Sequence, residues 1–290
     1  MRAMIITLVA LFCLSAITLA NPIPWPPPAS MPLEDMKIQI LTVDDSLYAQ
    51  FSGDFTFNYI PNEVCLMLFP VPPDATDIQV CQDGVELSWS WSSENYTTIL
   101  PEMPAILMIE WEGPFPTEGC IFTVEYEHSL IEHPEEYIFF YALGTGKYFQ
   151  NYDKTTTAYF DIKLPSVYKV DSVWLDNDPH EYAVLTIGNI SQLTIVVQSE
   201  FGPITKDLIV SLAEQCPAKE IYGEHSEETE LLRSFRDNVL SQTPEGREIT
   251  KLYYQWSPAI VRVMGEDEEF KQDVKEMIDG ILPLINIQVD

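Results

Sequence analysis

Arginine is absent between Arg2 and Arg233, and the 290-residue chain sets 15 basic residues against 45 acidic ones, a formal charge of −30. Nucleic acid is thereby excluded as a partner, because neutralising a phosphate backbone needs a basic stripe that this composition cannot assemble. Histidine is scarce too, limited to His128, His133, His180 and His225. The arrangements that organise catalytic groups are missing: there is no Gly-x-Ser-x-Gly elbow, no His-Glu-x-x-His pair and no phosphate-binding loop. No Cys-x-x-Cys pair or Cys/His cluster has the spacing of a zinc site. Beyond the first twenty residues, charges and prolines interrupt every apolar run before it reaches the ~20 residues a membrane-spanning helix needs. Core-forming residues are plentiful, at 46% hydrophobic and 12% aromatic, so the acidity describes a solvated surface on a folded chain.

Arg2, the apolar run from Met4 to Leu14 and the small residues leading to Ala20 predict a secretory signal peptide over residues 1–20. Loss of that leader removes one base and leaves a mature charge of −31. Acidity is concentrated early, since residues 21–215 hold 29 acids and only six lysines. Export also gives the remaining cysteines a meaning. Cys65, Cys81, Cys120 and Cys216 are disulfide candidates in an oxidising compartment, with three possible connectivities.

Residues 21–34 form a proline-rich linker, with Pro22, Pro24, Pro26, Pro27, Pro28 and Pro32 removing backbone donors. From Met36 the hydrophobic period becomes two, as where Phe55, Phe57 and Tyr59 alternate with Asp54, Thr56 and Asn58. Val64 to Val71 reads as a strand buried on both sides. Asp83-Gly84 between Ile78-Gln79-Val80 and a strand from Val85 to Trp91 predicts a hairpin, because a type I′ turn needs positive φ at both central residues. Ile106–Trp111 and Ile121–Tyr126 add strands, and a second group follows at 137–143, 158–164, 183–187, 193–198 and 208–212. The expected fold is mainly β with a separate C-terminal α-helical module: tandem antiparallel β-sandwich domains, Ig-like, over 35–130 and 131–213, then about four short helices in 214–290. One large sandwich is the rival arrangement of the same strands.

In the last segment, Ser226 is placed to cap a helix bearing Leu231, Leu232, Phe235 and Val239. Thr243-Pro244 starts another, with Ile249, Leu252, Tyr253 and Trp256 as its apolar stripe. Ser257-Pro258 repeats the device and predicts a third helix through Met264, and Glu266 to Glu269 precede a fourth whose buried side is Phe270, Val274, Met277, Ile278 and Ile281. The motifs in this segment run Cys216-Pro217-Ala218 to Tyr222-Gly223, Leu232-Arg233-Ser234-Phe235-Arg236-Asp237, Pro244-Glu245-Gly246-Arg247 and Leu252-Tyr253-Tyr254-Gln255-Trp256-Ser257-Pro258. Their order resembles the C-terminal module of secreted bacterial proteins named for a Cys-Phe-Ile box, with Pro217 and Ala218 standing where that box has Phe and Ile. The resemblance covers about a quarter of the chain and implies a bacterial envelope protein without implying an activity. Arg233, Arg236 and Arg247 match its basic positions, where nearby carboxylates point to structural ion pairs.

Two clusters invite chemistry. Glu125, Glu127, His128, Glu132 and His133 gather in a short stretch that could supply a base and its orienting carboxylate, or could be a polar loop between domains. Asp176, Asp178 and His180 place candidate metal ligands in a turn, where Asp and Asn are equally expected without a metal. No cofactor is otherwise indicated, and calcium is the one weak possibility. The expected function is a non-enzymatic exported protein, secreted, periplasmic or at the cell surface, whose partner is an envelope or extracellular protein or glycan. The alternatives are a secreted hydrolase using the histidine and carboxylate cluster, or a calcium-stiffened structural module.

Overall fold

The computed structural model describes residues 23–25, 30–43, 46–58, 65–93, 107–113, 119–133, 136–144, 155–200, 202–223 and 225–289. The expected signal peptide lies outside these residues, as do residues 21, 22 and 26–29 of the expected linker, whereas residues 23–25 and 33–34 of that linker are strand.

The chain divides into two compact units, one built mainly from residues up to 212 and one containing 213–290 with the short segments 165–169 and 186–190. Among the described residues the first unit is built from strands. Its strands are β1 (Ile23–Trp25), β2 (Leu33–Val43), β3 (Ser46–Phe57), β4 (Cys65–Val71), β5 (Thr76–Gln82), β6 (Val85–Glu86), β7 (Ser90–Trp91), β8 (Leu107–Gly113) and β9 (Cys120–Ser129). They continue with β10 (Ile131–His133), β11 (Glu136–Tyr141), β12 (Thr157–Pro165), β13 (Tyr168–Leu175), β14 (Asp178–Pro179), β15 (Ala183–Ile187), β16 (Ile190–Gln198) and β17 (Leu208–Glu214). An eight-stranded sheet has the order β15-β16-β12-β2-β3-β9-β5-β6, beside a four-stranded sheet β1-β4-β8-β7 and a five-stranded sheet β10-β11-β17-β13-β14.

The period of two determines what each strand hides. Met36, Ile38 and Ile40 on β2, Phe51, Phe55 and Phe57 on β3, Phe122, Val124 and Tyr126 on β9, and Phe160, Ile162 and Leu164 on β12 are all buried. This face of the large sheet meets the smaller sheets through ring contacts: Phe55 with Phe69 at 5.6 Å, Trp111 with Phe122 at 5.7 Å, and Phe51 with Tyr141 at 5.5 Å. Each buried side chain of this size stabilises the fold by roughly 1.5–3 kcal/mol. Gly53 sits in the inward phase of β3 because a Cβ there would come within 2.7 Å of the Phe51 ring and 2.8 Å of the Phe55 ring.

The strands are partitioned differently from the expected 35–130 and 131–213. β12, from the second group, lies parallel to β2, with Phe160 opposite Met36 and Ile162 opposite Ile38. Strands from both sides of the expected boundary therefore share one sheet and one core, as in the rival single-sandwich arrangement. The Asp83-Gly84 hairpin forms as expected, with φ of 48° and 80°. The strand expected from Val85 to Trp91 is split, since β6 belongs to the eight-stranded sheet and β7 to the four-stranded one.

The second unit is helical, with α1 (Pro217–Tyr222), α2 (Glu227–Asn238), α3 (Pro244–Glu266) and α4 (Glu268–Val289). Caps form where the sequence places them: Ser226 accepts from the Thr229 N–H and Thr243 from the Gly246 N–H. Asp267 Oδ1 accepts from the Glu269 and Phe270 N–H groups at the start of α4. Ser257-Pro258 does not begin a helix. Pro258 lies inside α3, whose loss of one backbone hydrogen bond is tolerated while Ser257 Oγ donates to the Tyr253 carbonyl at 2.8 Å. The unit's core joins Met264, Val274 and Ile278 with Leu232, Ile260 and Phe270. The expected apolar stripe of α3 is exposed: Ile249 is 55% accessible, Leu252 46% and Trp256 59%. The buried line of that helix is Gly246, Ser257 and Met264, and at 100° per residue it lies roughly 90° around the helix from the stripe. On α4, Val274 and Ile278 are buried as expected, whereas Met277 and Ile281 are exposed.

Candidate functional site

Around its middle strands the outer face of the eight-stranded sheet carries a polar patch, opposite an inner face that is aromatic. Register sets the side chains in two adjacent rows. One row runs Asp161 (β12), Lys37 (β2), Ser52 (β3), Glu125 (β9) and Gln79 (β5), and the next runs Lys163, Gln39, Gln50, Glu127 and Thr76 on the same strands. Together with Asp77, nine of these ten residues line a groove of about 390 Å³, Thr76 being the exception. Ile38, Phe51 and Tyr126 also border it, but their side chains are buried on the inner face, so their backbone forms the floor. Asp77, at a φ of 52°, interrupts the pairing of β5 with β9 between Thr76 and Gln79. Such a bulge adds local twist and curls the sheet around the floor.

Cross-strand hydrogen bonds order this surface. Gln50 Nε2 donates to Glu127 Oε1 at 2.7 Å, and Ser52 Oγ donates to Glu125 Oε1 at 3.0 Å. Each glutamate is held by one oxygen, and its Oε2 accepts no hydrogen bond among the described residues. Gln192 Nε2 holds Asp161 Oδ1 at 2.8 Å. Lys37 makes only a long contact with Asp35, 3.9 Å, and Lys163 makes no ion pair among the described residues. This surface was not legible in the sequence. Its one local signal was the outward phase of each strand, while the rows exist only once five strands are aligned.

The expected histidine and carboxylate cluster is separated by the pleat. Glu125 and Glu127 face the groove, whereas His128 lies in the inward phase and is 3% exposed. The stretch is therefore strand, and a base on one face of a sheet cannot be oriented by carboxylates on the other. Glu132 is exposed on β10, and the His133 side chain lies outside the described residues. His128 stacks near Tyr126 and Phe139, and its Nδ1 donates to the Ser129 carbonyl at 2.9 Å. That bond leaves Nε2 as the unprotonated nitrogen, buried without a hydrogen-bond partner among the described residues. Burial lowers its pKa to about 4, against the opposing pull of the Ser129 carbonyl and Asp74.

A second interior polar residue, Glu34, is 1% exposed in the inward phase of β2. An acid in phase with Met36, Ile38 and Ile40 was a signal readable in the sequence. Burial chiefly, and the Glu34 charge after it, raises the pKa of the Tyr141 hydroxyl.

Asp176, Asp178 and His180 do not converge. Asp176, at φ 52°, is in the turn from β13 to β14 and accepts from the Asp207 N–H at 2.9 Å. Asp178 pairs with Lys206, and His180 Nε2 meets the Val196 carbonyl at 3.0 Å. No group of three His, Cys, Asp or Glu residues among the described residues is arranged to hold a metal.

Cys81, Cys120 and Cys216 are free thiols, and the Cys65 side chain lies outside the described residues. Cys81 and Cys120 occupy opposite phases of neighbouring strands, so their sulfurs face opposite sides of the sheet. Burial first, and then Asp83, pushes the Cys120 pKa up to about 12, leaving it protonated and unreactive. Cys216 Sγ lies 3.1 Å from the Tyr253 hydroxyl.

In the helical unit the motif residues hold one another. Arg236 donates to both oxygens of Asp237, at 2.6 and 3.0 Å, and to the Tyr254 hydroxyl. Tyr254 in turn bonds the Glu214 carboxylate, whose pKa burial nonetheless raises. Arg233 pairs with Glu230 at 2.8 Å, and Arg247 donates to the Ser241 carbonyl at 2.8 Å. Arg233 and Arg236 make the expected ion pairs with nearby carboxylates, whereas Arg247 is tied to a backbone carbonyl.

Comparison with known proteins adds to the fold and little to the chemistry. No family model matches the chain. A 55-residue segment is 38% identical to a cell wall-associated protease of Bacillus subtilis, covering 19% of this chain and 6% of that protein. The fold is similar to a Legionella pneumophila crystal structure of a protein for which nutrient binding has been suggested, with a TM-score of 0.57 and 14% identity over 82% of this chain and 90% of that one. At that identity the likeness concerns the fold alone. Leukotriene A4 hydrolase from Saccharomyces cerevisiae aligns at a TM-score of 0.36 and 11% identity, covering 74% of this chain and 36% of that one, too weakly to carry an argument.

Proposed function

We propose that the protein is an exported, non-enzymatic binding module whose ligand site is the polar groove on the outer face of the eight-stranded sheet. The observation that carries this reading is the state of the floor's polar groups. Two adjacent rows converge on one concavity, with Glu125 and Glu127 each fixed through a single oxygen and Lys163 without an ion pair among the described residues. Oriented groups with spare hydrogen-bonding capacity bind a polar ligand without a large ordering cost. The suggested nutrient binding of the Legionella protein is compatible with this role. Export rests on the signal peptide expected at residues 1–20, and an envelope setting on the resemblance of residues 216–258 to the Cys-Phe-Ile-box module.

The test is a binding screen of the purified full-length chain against peptides, glycans and small polar metabolites, using equilibrium dialysis read by mass spectrometry. Gln50→Trp, at an exposed position in the centre of the floor, should abolish binding of any retained compound while leaving the melting temperature unchanged. A retained compound that binds this variant as well as the wild type refutes the assignment of the groove.

A further inference from the structure

We infer that the groove recognises a short peptide as a zwitterion, its free carboxylate on the lysine side and its free ammonium on the glutamate side. This rests on the reading of the groove as the ligand site and deepens it to a ligand class. The charges on the floor are sorted by strand. Lys37 and Lys163 stand on the neighbouring strands β2 and β12, where Asp161 also lies opposite Lys37 but is held by Gln192. Glu125 and Glu127 stand together on β9 with Asp77 on the adjoining β5, and β3 between the two sides contributes the neutral Ser52 and Gln50. Residues 21–215 contain six lysines against 29 acids, and the groove gathers two of those lysines beside the four carboxylates Asp77, Glu125, Glu127 and Asp161.

The two signs do not neutralise each other. At roughly 4.8 Å per strand, Lys37 and Glu125 are about 10 Å apart at the backbone and Lys163 and Glu127 about 14 Å, and no ion pair among the described residues joins either lysine to either glutamate. Side chains that lean inward would narrow that span to what a ligand of two or three residues can bridge, since an extended chain advances roughly 3.3–3.6 Å per residue. Its carboxylate would take charge-assisted hydrogen bonds from the lysines, and its ammonium would donate to the spare Oε2 atoms of the glutamates. Gln39 and Gln50, between the charged ends, offer both donor and acceptor to a peptide bond.

A glycan fits this floor less well. It would leave both sets of charges without counterparts, and among the described residues no ring lines the groove itself, since those of Phe51 and Tyr126 are buried on the opposite face and exposed Tyr159 stands in the next row on β12.

The experiment presents the full-length protein with two tripeptide libraries in equilibrium dialysis, one with free termini and one acetylated and amidated, beside chito-oligosaccharides. Free-ended peptides should be retained at least about tenfold more tightly than blocked ones. Lys37→Gln with Lys163→Gln should remove that preference, as should Glu125→Gln with Glu127→Gln, each without a change in melting temperature. Equal retention of both libraries, or retention of neither, overturns the inference. Retention of the oligosaccharide alone, lost in Gln50→Trp, refutes the peptide while leaving the groove as the site. If no compound retained by the wild type is sensitive to Gln50→Trp, both readings fall.

Discussion

Replacing His128 with phenylalanine should flatten the dependence of stability on pH between about 6.5 and 4. The ring is buried between Tyr126 and Phe139, and its folded-state pKa of about 4 lies below the ordinary 6.5. The native state thus binds fewer protons than the unfolded chain over this interval. The stabilisation from keeping the ring neutral is complete above pH 6.5 and is lost as pH falls toward 4, where the folded protein also takes up the proton. A gap of 2.5 pKa units at 1.36 kcal/mol each corresponds to a loss of roughly 3 kcal/mol, with a slope no steeper than about 1.4 kcal/mol per pH unit. The 45 acidic residues also titrate in acid, but they are common to both proteins and cancel in the difference. Phenylalanine suits the aromatic surroundings and sacrifices the hydrogen bond to the Ser129 carbonyl, a constant offset of about 1 kcal/mol. The assay is urea unfolding of wild type and His128→Phe at pH 8, 7, 6, 5 and 4.5. The variant should be the less stable at pH 8 and the more stable at pH 4.5. Parallel stability curves would refute the argument and place the imidazole in contact with solvent or a counter-charge.

Other consequences follow from packing and bonding. Gly53→Ala should cost about 1–3 kcal/mol in urea unfolding, because the new methyl group displaces the Phe51 and Phe55 rings. Tyr254→Phe, which removes the hydroxyl between Arg236 and Glu214, should destabilise the helical unit by about 1–2 kcal/mol, seen as faster amide exchange in residues 227–238. Ser226→Ala removes the acceptor for the Thr229 N–H and should cost about 1 kcal/mol, with fraying confined to the first turn of α2. In native maleimide labelling mapped by peptide mass, buried Cys120 should react only after denaturation, and rapid labelling would contradict its burial.

How much of this was legible in the sequence depended on the range of the interaction. Strand phase is intrinsic to the chain, so the buried sets on β2, β3, β9 and β12 could be read from alternation alone. The Asp83-Gly84 turn and the Ser226 and Thr243 caps could be read for a similar reason, since their hydrogen bonds close within a few residues. His128 shows the limit from the other side. The same alternation, followed through Cys120–Ser129, separates it from Glu125 and Glu127, but the density of acids and histidines suggested a loop. In α3, the local preference for a break at Ser257-Pro258 yielded to burial of Ser257 and to the packing of Ile260 and Met264 in the helical core.

By itself the sequence determined a β-rich body followed by a capped helical unit, a strongly acidic surface, and the inward or outward facing of most strands. Tertiary structure decided the partners of those strands. The pairing of β12 with β2 joins residues more than a hundred positions apart, and its energy comes from burying Phe160 and Ile162 beside Met36 and Ile38. No nearby residue specifies that choice. The same alignment that completes the inner core sets Lys163, Gln39, Gln50 and Glu127 in one row on the outer face. The groove is therefore a by-product of long-range register, which is why its residues looked like ordinary solvated polar positions until the strands were assembled.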